Sequence, residues 1–458
     1  FYDGNDTFVL RFMPGTEGTW TYVTSSNIPA LNRKKGTFTC TPALEGNHGP
    51  VEIDGLHFRY ADGTRYYPVG TTSYDWMHVP GDYPARTIAS LKESGFNKIR
   101  SLFFLHNLNI EYPELYPFLK NSDGSWDYEH FNPEYFRYVE DRILALQGIG
   151  VEMDLILFHP YDGGRWGFDR MPMEVNMRYL DYITARFAAF RNIWWSMVNE
   201  YGGIRTVPYD GWIDLACRVD DGDPYGHLLS IHGYTAQDHD YFNPVFTHTS
   251  IQDHKPVMDA GNAFTIRNIY KKPVVFDEVC YEGNNGARWG ILSGQEMLHR
   301  MYNGTYVTHA ECFNTGASDD MTNYLAFGGD FHGESWKRIN FLRNEVLAGL
   351  PNPLGLADSS WDSYTSTAGT NYYLIYLGKQ ILKEWRFELP AKNNLFRAPR
   401  PGTKFKVEII DTWNMTVTEY PGTFELAGGT KYRMYDTLNS IIRLPETPYL
   451  LLRIKEAE

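Results

Sequence analysis

Two glutamates stand where a carboxylate can do chemistry. Glu200 closes the mostly apolar run Ile193-Trp-Trp-Ser-Met-Val-Asn-Glu200 and is followed by Tyr201-Gly202-Gly203. A buried strand that ends in a loop exposing polar side chains reads this way. Glu278 closes a second such run, Pro273-Val-Val-Phe-Asp-Glu278. Two carboxyl groups facing each other across a gap are what cleavage of a glycosidic bond takes: one protonates the departing oxygen, and the other attacks the sugar or activates water. Asp277 precedes Glu278, and alternation along a strand turns it to the opposite side.

The elements that must position this pair follow from the change of pattern along the chain. From 50 to 348, short apolar runs alternate with helical patterns. The runs are 66–74, 97–104, 151–159, 193–200, 227–233, 246–250, 273–279 and 306–313, and the clearest helical patterns are 86–94, 133–148, 175–191, 209–220, 293–302 and 334–347. Over 133–148, Tyr135, Val139, Ile143 and Leu146 recur at three and four, as on a helix that covers a sheet. Eight strands alternating with helices predict an α/β fold, a (β/α)8 TIM barrel. Residues 1–49 read as part of a β-sandwich, with strands at 7–13, 18–24 and 36–41, and Val51 to Asp62 as a hairpin turning at Asp62-Gly63. Residues 349–458 read as a C-terminal antiparallel β-domain, with strands near Trp361 and at 371–377, 404–413, 430–434 and 449–454.

In a barrel, acting groups sit at the carboxyl ends of the strands. There this chain offers Tyr74, Trp76 and His78, then Arg100 and His106, His159 and Tyr161, Asn199 and Glu200, His232, His248, Glu278 and Glu311. Arg100 could hold Glu278 in its charged form, since a nearby cation lowers a carboxylate pKa, with a structural ion pair at the barrel wall as the equal alternative. His159, His232 and His248 could donate to sugar hydroxyls. Trp76, Trp166 and Tyr281 are candidates for a stacking platform, with packing as the equal alternative. Loops at 107–132, 160–174 and 314–333, the last with Asp319-Asp320, could wall a pocket and favour release of terminal residues.

Strand four ending in Asn199-Glu200 and strand seven ending in Glu278 resemble the clan-A retaining glycoside hydrolases. Over the full length, Thr37-Phe38-Thr39-Cys40, Glu45-Gly-Asn-His-Gly-Pro50, Tyr67-Pro-Val-Gly-Thr-Thr72 and Ile410-Asp-Thr-Trp-Asn-Met415 are similar to bacterial glycosidases in which a sandwich precedes an apiosidase-like barrel. The resemblance implies double displacement, with Glu200 as acid/base, Glu278 as nucleophile and Asn199 bonded to the hydroxyl next to the reacting carbon. It implies a glycoside or oligosaccharide of plant or microbial origin as substrate and no cofactor or metal. The clan often has an aromatic residue at strand eight, where this chain has Glu311-Cys312-Phe313, so a polar or charged subsite is expected there.

Composition narrows the rest. With 42 basic and 56 acidic residues the net charge is −14, which disfavours a nucleic-acid partner. No run approaches the ~18 apolar residues of a membrane span. The four cysteines, Cys40, Cys217, Cys280 and Cys312, follow neither a zinc-ribbon nor a disulfide spacing. Phe1-Tyr-Asp-Gly-Asn-Asp reads as a turn rather than a natural start, so further residues upstream are expected; a bacterial cytoplasmic setting is the expectation, with secretion and homo-oligomer formation left open. Two other readings use parts of the pattern. A non-catalytic carbohydrate-binding protein keeps the aromatics but has no need of two acids. A barrel metallohydrolase would use the strand-end histidines and His309-Ala-Glu311, but the His-x-His usual at its first strand is replaced by Thr-Thr-Ser-Tyr.

Overall fold

The computed structural model describes residues 1–258, 260–303, 306–315, 321–351, 353–356, 364–391, 399–430 and 432–457. Trp361 and the Asp319-Asp320 pair lie outside the described residues.

Eight parallel strands form the barrel: β1 (Gly70–Thr72), β2 (Lys98–Leu102), β3 (Glu152–Ile156), β4 (Ile193–Ser196), β5 (Leu229–Ser230), β6 (Thr249–Gln252), β7 (Val274–Glu278) and β8 (Thr308–His309). β5 through β1 to β8 make one six-stranded sheet, and β6 pairs with β7. Bridges between His232 and Ser250 and between Phe276 and Val307 join the two pieces into a closed ring. Outside it run α1 (Tyr83–Glu93), α2 (Pro133–Gly148), α3 (Met173–Phe187), α4 (Gly211–Gly222), α5 (Ala260–Tyr270), α6 (Gly294–Asn303), α7 (Tyr324–Phe327) and α8 (Ser335–Phe341). The start of α2 shows how sequence sets the bounds. Asn132 accepts the Glu134 N–H through its side chain and Pro133 fills the first turn, where its missing N–H leaves no bond unmade. The β5–β6 connection carries no helix, and α5 has too weak an apolar stripe to be expected from the sequence.

Both sides of a closed barrel are buried, so its strands alternate between two interiors. Along β2 and β3, Ile99, Met153 and Leu155 join the large core under the helices, while Lys98, Arg100 and Asp154 point inward. The inside is layered. At its foot Trp194, Leu228, Val275 and Tyr306 meet Val51, Phe58 and Tyr66 from the three-stranded sheet of Val51–Asp54, His57–Tyr60 and Arg65–Tyr66, which plugs that end. Above lies a charged layer in which Lys98 Nζ bonds Asp154 and lies 3.0 Å from Asp277 Oδ1. At the top are Tyr74, Leu102, Ile156, Tyr281 and Ala310.

Of the three strands expected near the N-terminus, Gly18–Val23 and Lys35–Cys40 form an antiparallel hairpin. Residues 7–13 do not form a strand, because groups in that stretch bond the barrel's outer layer instead: the Arg11 guanidinium meets Glu140 of α2 and the Arg186 carbonyl of α3, and Met13 N donates to Tyr225 Oη in the turn after α4. Among the described residues the C-terminal region forms a nine-stranded antiparallel sheet built around Leu450–Glu456 and Lys404–Asp411, with Glu384–Arg386 and Ile441–Arg443 as a separate antiparallel pair. In Tyr372–Tyr376 alternate residues serve two cores. Tyr373 and Ile375 face the domain's own, and Tyr372, Leu374 and Tyr376 pack on the barrel side.

Candidate active site

The two glutamates meet at the top of the barrel. Glu200 follows β4 with φ 54° and ψ 58°, a left-handed conformation that a residue with a Cβ adopts at a penalty. The chain then turns through Tyr201–Gly203, with Tyr201 N donating to His232 O. Glu278 is the last residue of β7 and is buried, and Cys280 just beyond it is also left-handed, with φ 67°.

Two amides tie the carboxylates together. The first is Gln252 at the end of β6. Its Oε1 accepts from Thr235 N at 2.6 Å and Thr235 Oγ1 at 3.1 Å, which fixes the orientation of the amide. Its Nε2 donates to Glu200 Oε1 at 2.9 Å and to Glu278 Oε2 at 3.0 Å. Those two oxygens are therefore at most about 5.9 Å apart, the two bonds laid end to end. The second amide is Asn199, whose Nδ2 donates to Tyr161 Oη at 2.5 Å and Tyr74 Oη at 3.2 Å. Tyr161 passes its own hydrogen to Glu200 Oε2 at 2.7 Å, and Tyr74 to Glu278 Oε1 at 2.6 Å. Arg100 holds Asn199 Oδ1 at 2.6 Å and reaches Glu278 Oε1 at 3.4 Å.

The surroundings treat the two acids differently. Burial, and then the charge of Glu278, push the Glu200 carboxyl up, against hydrogen bonds from Tyr161 and Gln252. Burial alone would also raise Glu278, but the His232 ring, then Arg100 and His254, outweigh it and hold its carboxyl well below the usual range. His232 Nε2 lies 3.4 Å and His254 Nε2 3.6 Å from Glu278. Ser250 Oγ donates to Asp277 Oδ2 at 2.6 Å and lies 3.0 Å from His232 Nδ1, which sets that ring. One acid favouring the protonated form beside one favouring the charged form is the division of labour that glycosidic cleavage uses.

The expected residues thus divide. Asn199, Arg100 and His232 gather behind the carboxylates, and Tyr281 lines the wall beside them, its hydroxyl pushed up by burial and then by Glu278. Four others are corrected. Trp76 is wholly buried with its Nε1 donating to Ser101 Oγ at 2.7 Å, so it offers no face to a ligand. His159 uses both nitrogens on backbone, with Phe104 O at 3.0 Å and Tyr161 N at 3.1 Å, and stacks on Tyr161. His248 sits at the foot of the barrel against Phe58 and Trp194, because β6 starts at Thr249 and carries Gln252, not His248, to the mouth. Glu311 is wholly buried and accepts His332 N and Gly333 N through Oε2, on the far side of β8 from the pair. The same start of β6 brings Gln252 and His254, which the sequence does not single out, to the mouth instead. Trp289, packed edge-on against Tyr281 at 5.9 Å, is only half-buried, whereas Trp76 is wholly buried.

The model of the apiosidase-like catalytic domain matches residues 54–306, which contain both glutamates and all their partners. The chain belongs to the apiosidase-like family. Two domains of unknown function flank that match in this apiosidase-like protein, DUF5060 over residues 1–27 and DUF5605 over 361–455. Its whole length superposes on a crystal structure from Bacteroides vulgatus, provisionally named a glycoside hydrolase, with TM-score 0.94, 49% identity and 92% of that chain covered. A family 5 glycoside hydrolase from the same organism (TM-score 0.62, 13% identity, 90% of this chain and 93% of that one) and a further glycoside hydrolase (0.63, 14%, 91% and 99%) share the fold. No curated protein matches. The apiosidase-like protein is a glycoside hydrolase by family, as its sequence leads one to expect.

Proposed function

We propose that this protein cleaves a glycosidic bond with retention of configuration, by double displacement. The observation that carries the reading is the single nitrogen of Gln252 bonded to both carboxylates. A span bounded at about 5.9 Å between the bonded oxygens fits the ~5 to 5.5 Å of retaining pairs and falls short of the ~6.5 to 9.5 Å that leaves room for an attacking water. Glu278, kept charged, attacks the anomeric carbon, while Glu200, kept protonated, gives its hydrogen to the departing oxygen. Glu200 then takes a proton from the incoming water as the glycosyl–Glu278 bond breaks. Tyr74 and Tyr161 hold one carboxylate each, and Trp289 offers a platform for a sugar face. Asn199, freed of one tyrosine, would bond the hydroxyl beside the reacting carbon.

A screen of chromogenic glycosides, with NMR of the first anomer released, tests this directly. Retained configuration is the expected result; a first-formed product of inverted configuration would sink the double-displacement mechanism. Glycoside binding without turnover by any substrate in the screen would favour a non-catalytic carbohydrate-binding role instead.

A further inference from the structure

Three side chains that take no part in the carboxylate pair converge beneath the loop leading into α8. Glu282 stands on Glu282–Gly283, which pairs in parallel with Glu311–Cys312 beyond β8, and His309 ends β8 itself. One donor atom from each lies within 4.8 Å of the other two, and all three residues are buried. Four successive backbone N–H groups close on the carboxylates. His332 and Gly333 donate to Glu311 Oε2 at 2.7 and 2.9 Å, and Glu334 and Ser335 to Glu282 at 2.8 and 3.0 Å. The Ser335 hydroxyl also bonds Glu282.

What remains points inward. Glu311 Oε1 and His309 Nε2 have no hydrogen-bond partner, although both residues are wholly buried. They face each other at 3.6 Å, too far for a hydrogen bond and within the separation of two ligands that share a cation at ~2.0 to 2.2 Å from each. His309 Nδ1 lies 3.2 Å from Thr71 Oγ1, the outer contact that commonly fixes a ligating imidazole. Among the described residues no lysine or arginine comes within 4.0 Å of either carboxylate, and carboxylates buried this deeply call for a positive partner. A Cβ at Gly333 would fall 2.5 Å from Glu282 Oε2 and 2.7 Å from Glu311 Oε1, so the loop passes close over the group only because that residue has none.

We propose that Glu282, His309 and Glu311 form a binding site for a first-row divalent cation, Zn²⁺ or Mn²⁺. Calcium prefers oxygen ligands alone, whereas one imidazole with two carboxylates suits these borderline ions. Bound there, the ion fastens the segment after β7 to the end of β8, and the approach to α8 is held to both through its N–H bonds to the ligating carboxylates. Tyr281, next to Glu282, belongs to the wall that this would stiffen. The inference stands independently of the reaction assigned to Glu200 and Glu278.

The test uses tag-free full-length protein, stripped with EDTA and then equilibrated with Zn²⁺ or Mn²⁺. Metal retained after gel filtration is measured by mass spectrometry and the melting temperature by calorimetry. One equivalent per chain and a melting temperature several degrees above the stripped protein are expected, because a ligand that binds only the folded state stabilises it. Both effects should vanish in Glu311→Gln and in His309→Gln and persist in the surface control His130→Ala. If either variant fails to fold, the wild-type comparison and the other variant still decide. No retained metal with an unmoved melting temperature overturns the site, as does retention that survives both substitutions.

Discussion

Replacing Glu278 by Gln keeps its shape and removes its charge, so turnover should fall to background while ligand affinity, read by calorimetric titration, stays close to wild type. Glu200→Ala should lose about 10² to 10⁴ in rate, the usual contribution of a general acid–base. The pH dependence follows from the same surroundings. As pH falls, activity is lost when Glu278 takes up a proton, which His232 and Arg100 defer to well below the usual carboxylate range. As pH rises, it is lost when Glu200 gives up its proton, which burial and Glu278 defer to higher pH. A kcat/KM profile should therefore be a bell with widely spaced limbs. Gln252→Ala removes a donor that opposes the upward shift of Glu200, so the alkaline limb should move to higher pH. Losing a charge-assisted bond worth ~1.5 to 3 kcal/mol should lower kcat/KM about ten- to hundredfold. An unmoved limb would assign Gln252 to packing alone. Both glutamates were legible in the sequence because an apolar run ending on an acid is conspicuous. Gln252 was not, since an amide after Thr-Ser-Ile carries no such contrast.

At the level of elements, the eight strands and most of their helices could be read from alternating patterns, but not the ends of every strand. A strand buried on both faces lacks the polar–apolar alternation that would mark its phase. Phe246-Thr-His-Thr-Ser250 reads as a strand from its residues alone, whereas the ladder starts at Thr249, which leaves His248 at the foot of the barrel rather than its mouth. The inward row of β3 also carries a group unrelated to catalysis. Glu152 is buried at the base of that strand and burial pushes its carboxyl up to about 8. In the unfolded chain its value is ordinary, so the folded state holds the proton longer. The resulting stability is fully present below about 4.5, drains away at ~1.4 kcal/mol per pH unit as pH rises, and is gone above about 8. Glu152→Gln should then raise the melting temperature at pH 8 and leave it nearly unchanged at pH 4. A rise of the same size at both would trace the effect to packing.

Over the whole molecule, the C-terminal sheet is fastened to the barrel by one face of its strands. Leu374 is buried in the barrel-side core, and Arg453 crosses from the sheet to Glu345, with its Nη2 at 2.8 Å from Oε1. Leu374→Ala should cost about 2 to 5 kcal/mol, the usual range for a buried leucine. Because that core is shared, calorimetry should show one transition moving as a whole; a separate early peak would mean the sheet unfolds alone. The sequence announced a terminal β-domain through its short runs and turns, but not that Tyr372 and Tyr373 serve different cores, since both are simply tyrosines in one strand.

The turn at Glu200 has an implication for durability. A backbone twist that only glycine, asparagine or aspartate accepts readily, in a residue set beside a second acid, is a conformation the chain would shed if hydrolysis were not required of it. Glu200→Asn relieves the twist and removes a carboxyl that burial disfavours in its charged form, so the disabled protein should melt later than the active one. Selection for sugar cleavage would then be what holds this loop away from its most comfortable shape.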